Sequence, residues 1–566
     1  MFKENVIELL RNETKLKPEV LLKLVEVPPK LELGDFAFPC FILSKKLKKA
    51  PNQIASILVE KLSKDLPKQI DRVVATGSYV NFFVNKLLMA KKIIKINSNY
   101  GKTNVGKKKK VIIDFSAPNV GKPMHVGHIR STILGDSIIR MYDFLNYNPV
   151  GINYLGDIGL HIGKLIVAYE LWLDKDQLKK DPVNELLRLY VKFCDKEKST
   201  VQVGTDEEDE FSNNEWTLKA KEKLKQLELG DKKAHKIWSD IQKYSRKGFD
   251  KVYDLLKVNF HETVGQSLFS NKGKQIITQA ILSGHAKAEP SGAVFVESHG
   301  KNKYILRTGK IASYMTQDLG AAVTRFEKHK FEEMIYLTDY RQIDHFNHLF
   351  NILELFGYTF AKNCKHLGFG NVKFGKEILA TRKGKVILLE SVLKKTIEKA
   401  REGIDKRGTK GDPKKVGVGA IKYIVLKNEP QRDVQFSWSE ALNFEGNTGP
   451  YLQYSYARAS SIIRKAKKEN FNKVAPKVKD LTTEEIALVK KIDNFPEIVL
   501  RAAKSLNPAI IANYAYELAK LFNEFYHNNH VIGDPREAFR LYLLEAFRTT
   551  LQNSLHLLGI EVMEEM

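Results

Sequence analysis

Residues 111–128 read Val-Ile-Ile-Asp-Phe-Ser-Ala-Pro-Asn-Val-Gly-Lys-Pro-Met-His-Val-Gly-His. The first five form a short apolar run, as expected of a buried strand, and a loop with two prolines and a glycine follows. Apolar residues then recur at helical spacing, as one buried helix face requires; they are Leu134, Ile138, Met141, Tyr142 and Leu145. Residues 150–154 resume the strand character. This order predicts a βαβ unit of a doubly wound parallel sheet.

The sheet pattern is interrupted further along the chain and then returns. Residues from about 185 to 300 are mostly helical in pattern and polar. Their acidic run at 206–210 is interpreted as a solvated face rather than a metal site. Strand-like residues 335–337 and a helical pattern at 350–356 are typical of the second half of the same sheet.

Both ends of the chain carry other patterns. Residues 1 to about 90 show two amphipathic helical patterns and then an apolar run at 79–84, and a lysine-rich stretch at 106–110 looks like a linker. From about 430 onward the pattern is all-helical. The pairs Asn507-Pro508 and Asp534-Pro535 each favour a helix start, with an N-cap before a proline.

Bulk composition narrows the function classes. The chain has 566 residues, too many for one core, and a net charge of +25. Such a charge indicates a polyanionic partner, nucleic acid first, although a lysine-rich proteome explains it equally well. The three cysteines are far apart without a CxxC pair, which favours a reducing compartment. With no signal-peptide pattern and no long apolar stretch, we expect a cytoplasmic protein without a membrane span.

The segment that ends in two histidines suits an adenylate-forming site. His125, Gly127 and His128 lie directly after a predicted strand and at the start of a helix. The first turn of a helix presents free N–H groups and a positive dipole end to phosphate. Gly127 leaves room for an adenine ring, and the imidazoles can donate hydrogen bonds to phosphate oxygens. A lone HxGH is more often packing or solvent-facing, so its context and the preceding Lys122 carry this interpretation.

Several segments resemble the arginyl-tRNA synthetases, a family of class I aminoacyl-tRNA synthetases. Residues 116–132, SAPNVGKPMHVGHIRST, resemble the family's HIGH segment in its long form. In chain order, GDFAFP at 34–39, NYLGD at 153–157, LELGD at 227–231 and FEGNTGPYLQY at 444–454 resemble further family segments. These matches cover nearly the whole chain in the right order, so their joint specificity exceeds that of any one motif.

The resemblance implies three domains and their folds. We expect an α+β N-terminal domain at 1–95 that binds the D-arm of tRNA. A Rossmann-type α/β catalytic domain is expected at 106–430, with a helical insertion at about 185–300. An all-α anticodon-binding domain is expected at 431–566. The implied activity is ATP-dependent ligation of L-arginine to tRNA(Arg) through an arginyl-adenylate, by a monomer.

The family's arginine-binding positions fall on residues whose types suit a cationic substrate. They are Asp114, Ser116, Asn119, Tyr314, Asp318 and Gln342. A guanidinium has five donors in a planar fork, so carboxylates, amide oxygens and a flat ring match it. Without the resemblance, Asp318 reads as a helix-start carboxylate and Gln342 as a loop residue. Aspartate at 114, where the family commonly has glutamate, shortens the reach by one methylene, and Gln317 replaces a usual arginine.

The resemblance also assigns the ATP site. Thr381, Arg382 and Lys383 stand where class I enzymes carry the KMSKS loop, in the TR-x-G form seen in arginyl enzymes. Lys122, just before the histidines, takes the part of the missing loop lysine, since a charge near pyrophosphate helps whichever loop supplies it. The implied ATP ligands are thus Lys122, His125, Gly127, His128, Thr381 and Arg382. ATP is expected as its Mg²⁺ complex, without a structural metal.

Contacts to tRNA are predicted at four positions. Tyr79 and Asn81 alternate on one strand, so both side chains face the same way and could stack on and read an unpaired base. A half-buried strand explains them equally well. Tyr526 beside His527 could stack on an anticodon base, and Tyr454 could do the same or simply pack. Tyr456 stands where the family often has histidine.

Two other interpretations keep part of this evidence. A different class I synthetase, or a small-molecule nucleotidyltransferase with the same HxGH core, would keep the chemistry and change the substrate. A non-catalytic RNA-binding paralogue would be free to lose Lys122, His125 and His128, yet all three are present. Pyrophosphate exchange with each amino acid and tRNA separates these alternatives.

Overall fold

A computed structural model describes residues 2–28, 30–199, 214–374, 388–468, 478 and 480–566. The chain forms two compact units. The first combines residues 1–99 with 462–495 and 520–549, and the second combines residues 100–461 with 496–519 and 550–566. The first unit thus joins residues from both the predicted N-terminal and anticodon-binding domains. Across the described residues, none of the helices has the length and apolar character that crossing a membrane requires.

The N-terminal part of the first unit is a small antiparallel sheet with helices. Its strands are Phe36–Pro39, Ile70–Thr76 and Tyr79–Val84, with the last one in the centre. Its helices are Phe2–Thr14, Pro18–Leu24, Phe41–Leu47, Pro51–Leu62 and Lys86–Ile93. Helix Thr483–Asp493 belongs to the same unit, where Lys490 Nζ lies 2.7 Å from the buried Asp35 carboxylate.

A five-stranded parallel sheet forms the centre of the second unit. Its spatial order is Cys364–Phe369, Glu333–Asp339, Lys110–Asp114, Asn148–Leu155 and Glu262–Gly265. Asp114 pairs with Ile152 on one side and Tyr336 on the other. The chain order therefore reverses beside strand Lys110–Asp114, and ligands of such sheets bind at the carboxyl ends of the strands at this switch point.

Helices cover both faces of this sheet and form much of the rest of the unit. They are Gly127–Phe144, Leu160–Trp172, Lys175–Lys180, Pro182–Ser199, Glu215–Glu228, Lys232–Leu256, Ser270–Leu282, Tyr314–His329, Ile343–Leu355, Leu389–Arg407, Pro413–Leu426 and Trp438–Ala441. Val111, Ile112 and Ile113 are fully buried, as a central strand covered on both faces requires. All five apolar residues predicted for the helix face after the first strand are buried as well.

The predicted insertion holds more strand than its sequence pattern indicated. Strand Glu262–Gly265, within the mostly helical range 185–300, is an edge of the central sheet. Strands Lys287–Ala288, Val294–Ser298, Lys301–Arg307 and Ile311–Ala312 form a separate antiparallel sheet. Two of these strands have only two residues and Lys301–Arg307 is mostly exposed, so this sheet gave little periodic signal in the sequence.

The C-terminal part of the chain is helical with one exception. Its helices are Gly449–Lys468, Thr483–Asp493, Phe495–Lys504, Ala509–Asn528 and Glu537–Leu557. Strand Val434–Phe436 pairs in parallel with Val372–Phe374, so the expectation of only helices after 430 was wrong at its beginning. Asn507 Oδ1 accepts from the Ala509 N–H at 3.1 Å, which confirms the predicted helix start.

Candidate active site

The turn after strand Lys110–Asp114 is held in an unusual backbone conformation. Ser116 and Ala117 have φ of +73° and +48°, in the left-handed region that non-glycine residues rarely adopt. Each such residue costs on the order of 1–2 kcal/mol. Hydrogen bonds to side chains offset this conformational cost. The Ser116 N–H donates to Ser131 Oγ at 2.8 Å, and the Ala117 N–H donates to Asn153 Oδ1 at 3.2 Å. The turn directs the chain from the sheet edge into the histidine segment.

The Ser116 hydroxyl ties this turn to buried side chains through hydrogen bonds. It lies 2.8 Å from Thr132 Oγ1 and 2.9 Å from the Tyr253 hydroxyl, and the residue is buried. Asn153 Nδ2 donates to the same Tyr253 hydroxyl at 3.0 Å. Burial raises the pKa of Tyr253 to about 12, against the opposing effect of Ser116 and Asn153. Thr132 and Tyr253, the two partners of the Ser116 hydroxyl, are both buried. The hydroxyl that was expected to bind arginine therefore belongs to a buried hydrogen-bond network.

Backbone hydrogen bonds fix the orientation of both imidazoles. The Gly127 N–H donates to His125 Nδ1 at 3.0 Å, and the His125 N–H donates to His128 Nδ1 at 3.2 Å. A neutral imidazole whose Nδ1 accepts carries its proton on Nε2. His128 Nδ1 also lies 3.3 Å from the His125 carbonyl oxygen, so backbone groups occupy Nδ1 of both rings and leave the two Nε2 atoms for a ligand. The ring centroids lie 4.1 Å apart.

Burial and nearby positive charge keep the imidazoles neutral. Burial and the Lys122 ammonium lower the pKa of His125. Burial, His125 and Lys122 lower the pKa of His128 to about 3. Lys122 itself has a lowered pKa because it is partly buried, and its Nζ lies 4.5 Å from the centre of the Tyr190 ring. The cluster therefore offers two neutral imidazoles and one cation.

A third imidazole, His161, joins this cluster and was not identified from the sequence. Its Nε2 lies 3.2 Å from the Gly156 carbonyl oxygen, and burial together with Lys122 lowers its pKa to about 4. Gly159 has φ of +132°, and a Cβ there would lie 3.4 Å from His161 and 3.6 Å from the Tyr314 hydroxyl. His161 and the Tyr314 hydroxyl thus both lie beside Gly159. Its position four residues after Asp157, in a family-like segment, was the available signal.

The His125 ring lies beside Gly127, where the sequence predicted room for an adenine ring. A Cβ at this position would lie 2.7 Å from His125 Cε1. The space above the glycine is thus filled by the His125 ring, and the residue is needed so that the ring can lie flat against the helix start.

Two carboxylates lie beneath the carboxyl edge of the sheet, each with a partner from the chain. Asp318 Oδ2 lies 2.6 Å from His345 Nε2. Asp114 is buried, and its Oδ2 lies 2.8 Å from Arg325 Nη1. Burial raises the pKa of Asp114 and Asp318 adds to this, while Arg325 opposes it. Neither His345 nor Arg325 stood out in the sequence, because their partners come from separate elements.

The remaining predicted arginine ligands lie at the surface of the same edge. Tyr314 is 54% exposed, so its ring face is open to a ligand. Asn119 and Gln342 are exposed, and the Asn119 backbone bridges to Gly156. A cavity of about 810 Å³ begins at Tyr314 and is lined also by Ile158, Gly159, Leu160, Lys221, Leu224, Lys225, Glu228, Glu289, Ala293, Tyr304, Arg307, Thr308, Ile311, Ala312, Ser313 and Gln317.

Comparison with known families decides the assignment. A family model described as tRNA synthetases class I (R), catalytic domain, matches residues 90–438. The Arginyl tRNA synthetase N terminal domain matches residues 1–84, and the DALR anticodon binding domain matches residues 452–566. The chain belongs to the arginyl-tRNA synthetase family. Its class I catalytic domain, N-terminal domain and helical DALR domain confirm the predicted fold class.

Individual relatives of this synthetase family agree over the full length. Arginine--tRNA ligases of Clostridium perfringens and Clostridium beijerinckii are each 39% identical, with all of this chain and all of each relative covered. The Thermus thermophilus arginyl-tRNA synthetase structure has the same fold, with a TM-score of 0.80 at 24% identity over 100% of this chain and 99% of that one.

The predicted tRNA-binding residues of this synthetase differ in exposure. Tyr79 is half-buried and its ring meets the Phe41 ring edge-on at 5.8 Å, whereas Asn81 is buried in the central strand. Asn81 therefore packs within the sheet rather than presenting its amide to solvent. Tyr526 is 39% exposed, and the Tyr454 hydroxyl accepts from Arg458 at 3.1 Å. Thr381, Arg382 and Lys383, like the acidic run at 206–210, lie outside the described residues.

Proposed function

We propose that this chain ligates L-arginine to tRNA(Arg) with ATP, through an enzyme-bound arginyl-adenylate, using the residues assembled at the sheet edge. The observation that carries the proposal is the cluster of Lys122, His125 and His128 at a helix start, connected through His161 and Tyr314 to the Asp318 helix. In the first step the arginine carboxylate attacks the α-phosphorus of ATP and pyrophosphate leaves.

Charge stabilisation is the main contribution of the histidine cluster. The two Nε2–H groups donate to phosphate oxygens as negative charge builds on them, and the N-terminus of helix Gly127–Phe144 adds its positive end. Lys122 balances the charge of the departing pyrophosphate. No proton has to move to or from the imidazoles, which agrees with their lowered pKa values.

The cationic substrate is bound on the opposite side of the site. Asp318, oriented by His345, binds the guanidinium or the α-ammonium group, and the open face of Tyr314 lies against the substrate. Asn119 and Gln342 bond its remaining polar atoms. In the second step the terminal ribose 2′-hydroxyl of tRNA attacks the activated carbonyl and AMP leaves.

Further phosphate contacts come from the loop at Thr381, Arg382 and Lys383. In support, Leu388, the first described residue after this loop, forms a backbone bridge with His125, and the Leu389 N–H donates to the Met124 carbonyl at 3.0 Å. Mg²⁺ accompanies ATP on the phosphate oxygens, the ligands it commonly takes in such sites.

The wider assignment follows the family. Residues 1–95 bind the D-arm of tRNA with Tyr79 at the contact, residues 106–430 carry catalysis, and residues 431–566 bind the anticodon with Tyr454 and Tyr526. For Asn81 we infer a supporting place beside Tyr79, because its side chain is buried. The enzyme acts as a monomer in the cytoplasm.

Exchange of labelled pyrophosphate into ATP tests the proposal. With tRNA present, exchange is expected with arginine and with no other standard amino acid. Exchange driven by another amino acid would keep the chemistry and overturn the substrate. Tight tRNA binding without any exchange would overturn catalysis and favour an RNA-binding paralogue.

A further inference from the structure

A buried arginine lies directly behind the acidic part of the site. Arg325, on helix Tyr314–His329, has only 3% of its side chain exposed, and its Nη1 lies 2.8 Å from Asp114 Oδ2. Its guanidinium carbon lies 4.6 Å from the centre of the Tyr154 ring and 5.7 Å from that of Tyr336. Three neighbouring strands and one helix thus surround a single cation.

This arrangement is a poor means of stabilising the fold. Within the described part of the chain, all three guanidinium nitrogens of Arg325 and the hydroxyls of Tyr154 and Tyr336 have no partner with hydrogen-bond geometry, so the contact to Asp114 is an ion pair. A buried ion pair is favourable only when its remaining polar atoms are satisfied, and well-packed apolar side chains often do as well or better. A contribution to function explains the arginine better than a contribution to stability.

The charges around Asp114 show what that contribution is. Asp318 faces it from the same helix as Arg325, with His345 on the far side of Asp318. Tyr154 and Tyr336 flank it on the neighbouring strands, and Cys364 lies behind Tyr336. Arg325 is the sole cation among these described groups, so it alone opposes burial and Asp318, both of which favour the neutral form of Asp114.

We propose that Arg325 is a positioning residue for arginine binding, which holds Asp114 ionised and aligned so that a second negative charge faces the cationic substrate. The inference rests on the proposed function of the site. Asp114 is tethered through Oδ2, which orients its other oxygen relative to the substrate pocket. The guanidinium of Arg325 thus keeps a negative charge in place for the guanidinium of the arginine substrate.

The test is the pH dependence of KM for arginine in pyrophosphate exchange between pH 6 and 8.5. In Arg325→Met, loss of the cation raises the pKa of Asp114, so the carboxylate is neutral at the acid end and ionises as pH rises. The ratio of variant to wild-type KM is expected to be about tenfold or more at pH 6 and to fall as pH increases. Arg325→Lys keeps the charge and should show a smaller, flatter ratio.

Matched variants separate positioning from folding. Arg540→Met also removes a buried guanidinium, whose Nε lies 2.8 Å from Glu485 in the first unit. It should lower the melting temperature while its KM ratio stays flat with pH. Asp114→Asn should raise KM equally at all pH values, and adding Arg325→Met to it should change KM less than twofold.

Each outcome decides the proposal. A pH-independent KM ratio in Arg325→Met, or additive losses in the double variant, overturns it. Should Arg325→Met not fold, a KM ratio for Arg325→Lys equal to that of Asp114→Asn overturns it, and a clearly smaller ratio supports it. Absence of arginine-dependent exchange in the wild type would instead overturn the proposed function.

Discussion

Each imidazole of the active site acts through one nitrogen because the backbone occupies the other. The Nδ1 atoms of His125 and His128 both accept N–H groups at the start of helix Gly127–Phe144. His128 Nδ1 also lies 3.3 Å from the His125 carbonyl oxygen, so only the Nε2 atom of each ring is left to contact a ligand. Side-chain chemistry at this position is therefore set by three backbone atoms.

Removal of one donor should slow adenylate formation specifically. His128→Ala is expected to lower kcat of arginine-dependent pyrophosphate exchange by about 10²–10³-fold, the usual cost of one preorganised donor. The dissociation constant for tRNA should change less than threefold, because the ring faces the phosphate site. His285→Ala, which removes an exposed imidazole elsewhere in the catalytic unit, is the control. Equal losses in rate and tRNA affinity would contradict this role.

Single residues show which parts of the active site could be predicted from the sequence. His125, His128 and Lys122 were predictable because they are adjacent in the chain and adopt one local geometry. Arg325 and His345 were not, since each acts on a carboxylate from another part of the chain and only the packed sheet brings the pairs together. The same holds for Ser116. A serine is a suitable substrate ligand, but the sequence does not show which side chains surround its hydroxyl.

The helix that begins at Tyr314 carries the substrate side of the site, and its start is capped twice. The Ser313 hydroxyl accepts the Thr316 N–H at 3.2 Å, and the Thr316 hydroxyl accepts the Ser313 N–H at 2.9 Å. Thr316 also donates to the Ile305 carbonyl in the antiparallel sheet. The cap thereby fixes where Tyr314 and Asp318 stand relative to the central strands.

Loss of this cap should affect stability and substrate binding together. Ser313→Ala is expected to cost about 1 kcal/mol of unfolding free energy and to raise KM for arginine several-fold. Thr482→Ala removes the same type of capping box from helix Thr483–Asp493 in the first unit. It should cost a similar free energy in urea denaturation and leave KM for arginine unchanged. A rise in KM in both variants, or in neither, would argue against a positioning cap.

Elements also differ in how readily the sequence predicts them. Strand Lys110–Asp114 and the helix after it were predictable because burial on both faces leaves an unbroken apolar run in the strand, and apolar residues recur at helical spacing after it. Strand Glu262–Gly265 escaped because it is an edge strand of four residues, partly exposed and placed after a long polar helix. Its pairing to strand Asn148–Leu155 depends on contacts far apart in the chain.

The net charge of +25 makes a prediction for the molecule as a whole. If the charge contributes to tRNA binding, each phosphate contact releases counterions and the binding constant falls steeply with salt. We expect a slope of log K against log salt concentration of roughly −5 or steeper for tRNA(Arg), as several phosphate contacts imply. The slope for binding of ATP, measured in parallel, is the control. Equal shallow slopes would assign the charge to a generally lysine-rich composition.

Buried neutral imidazoles make the molecule sensitive to acid. Burial lowers the pKa of His366 to about 4, with a contribution from His345, while its ring stacks on Phe346 at 4.7 Å. The unfolded chain binds this proton near pH 6.5, before the folded chain does, so stability falls as pH drops from about 6.5 to 4. Because this side chain is only partly buried, solvent screening reduces the cost from this one group at pH 5 to about 1 kcal/mol. His366→Gln should reduce the loss of unfolding free energy between pH 7 and pH 5 by that amount, measured by urea denaturation at both values.

His527→Gln, at an exposed position, should retain the wild-type loss. An unchanged loss in His366→Gln would show that the imidazole takes up its proton equally well in the folded and unfolded chain.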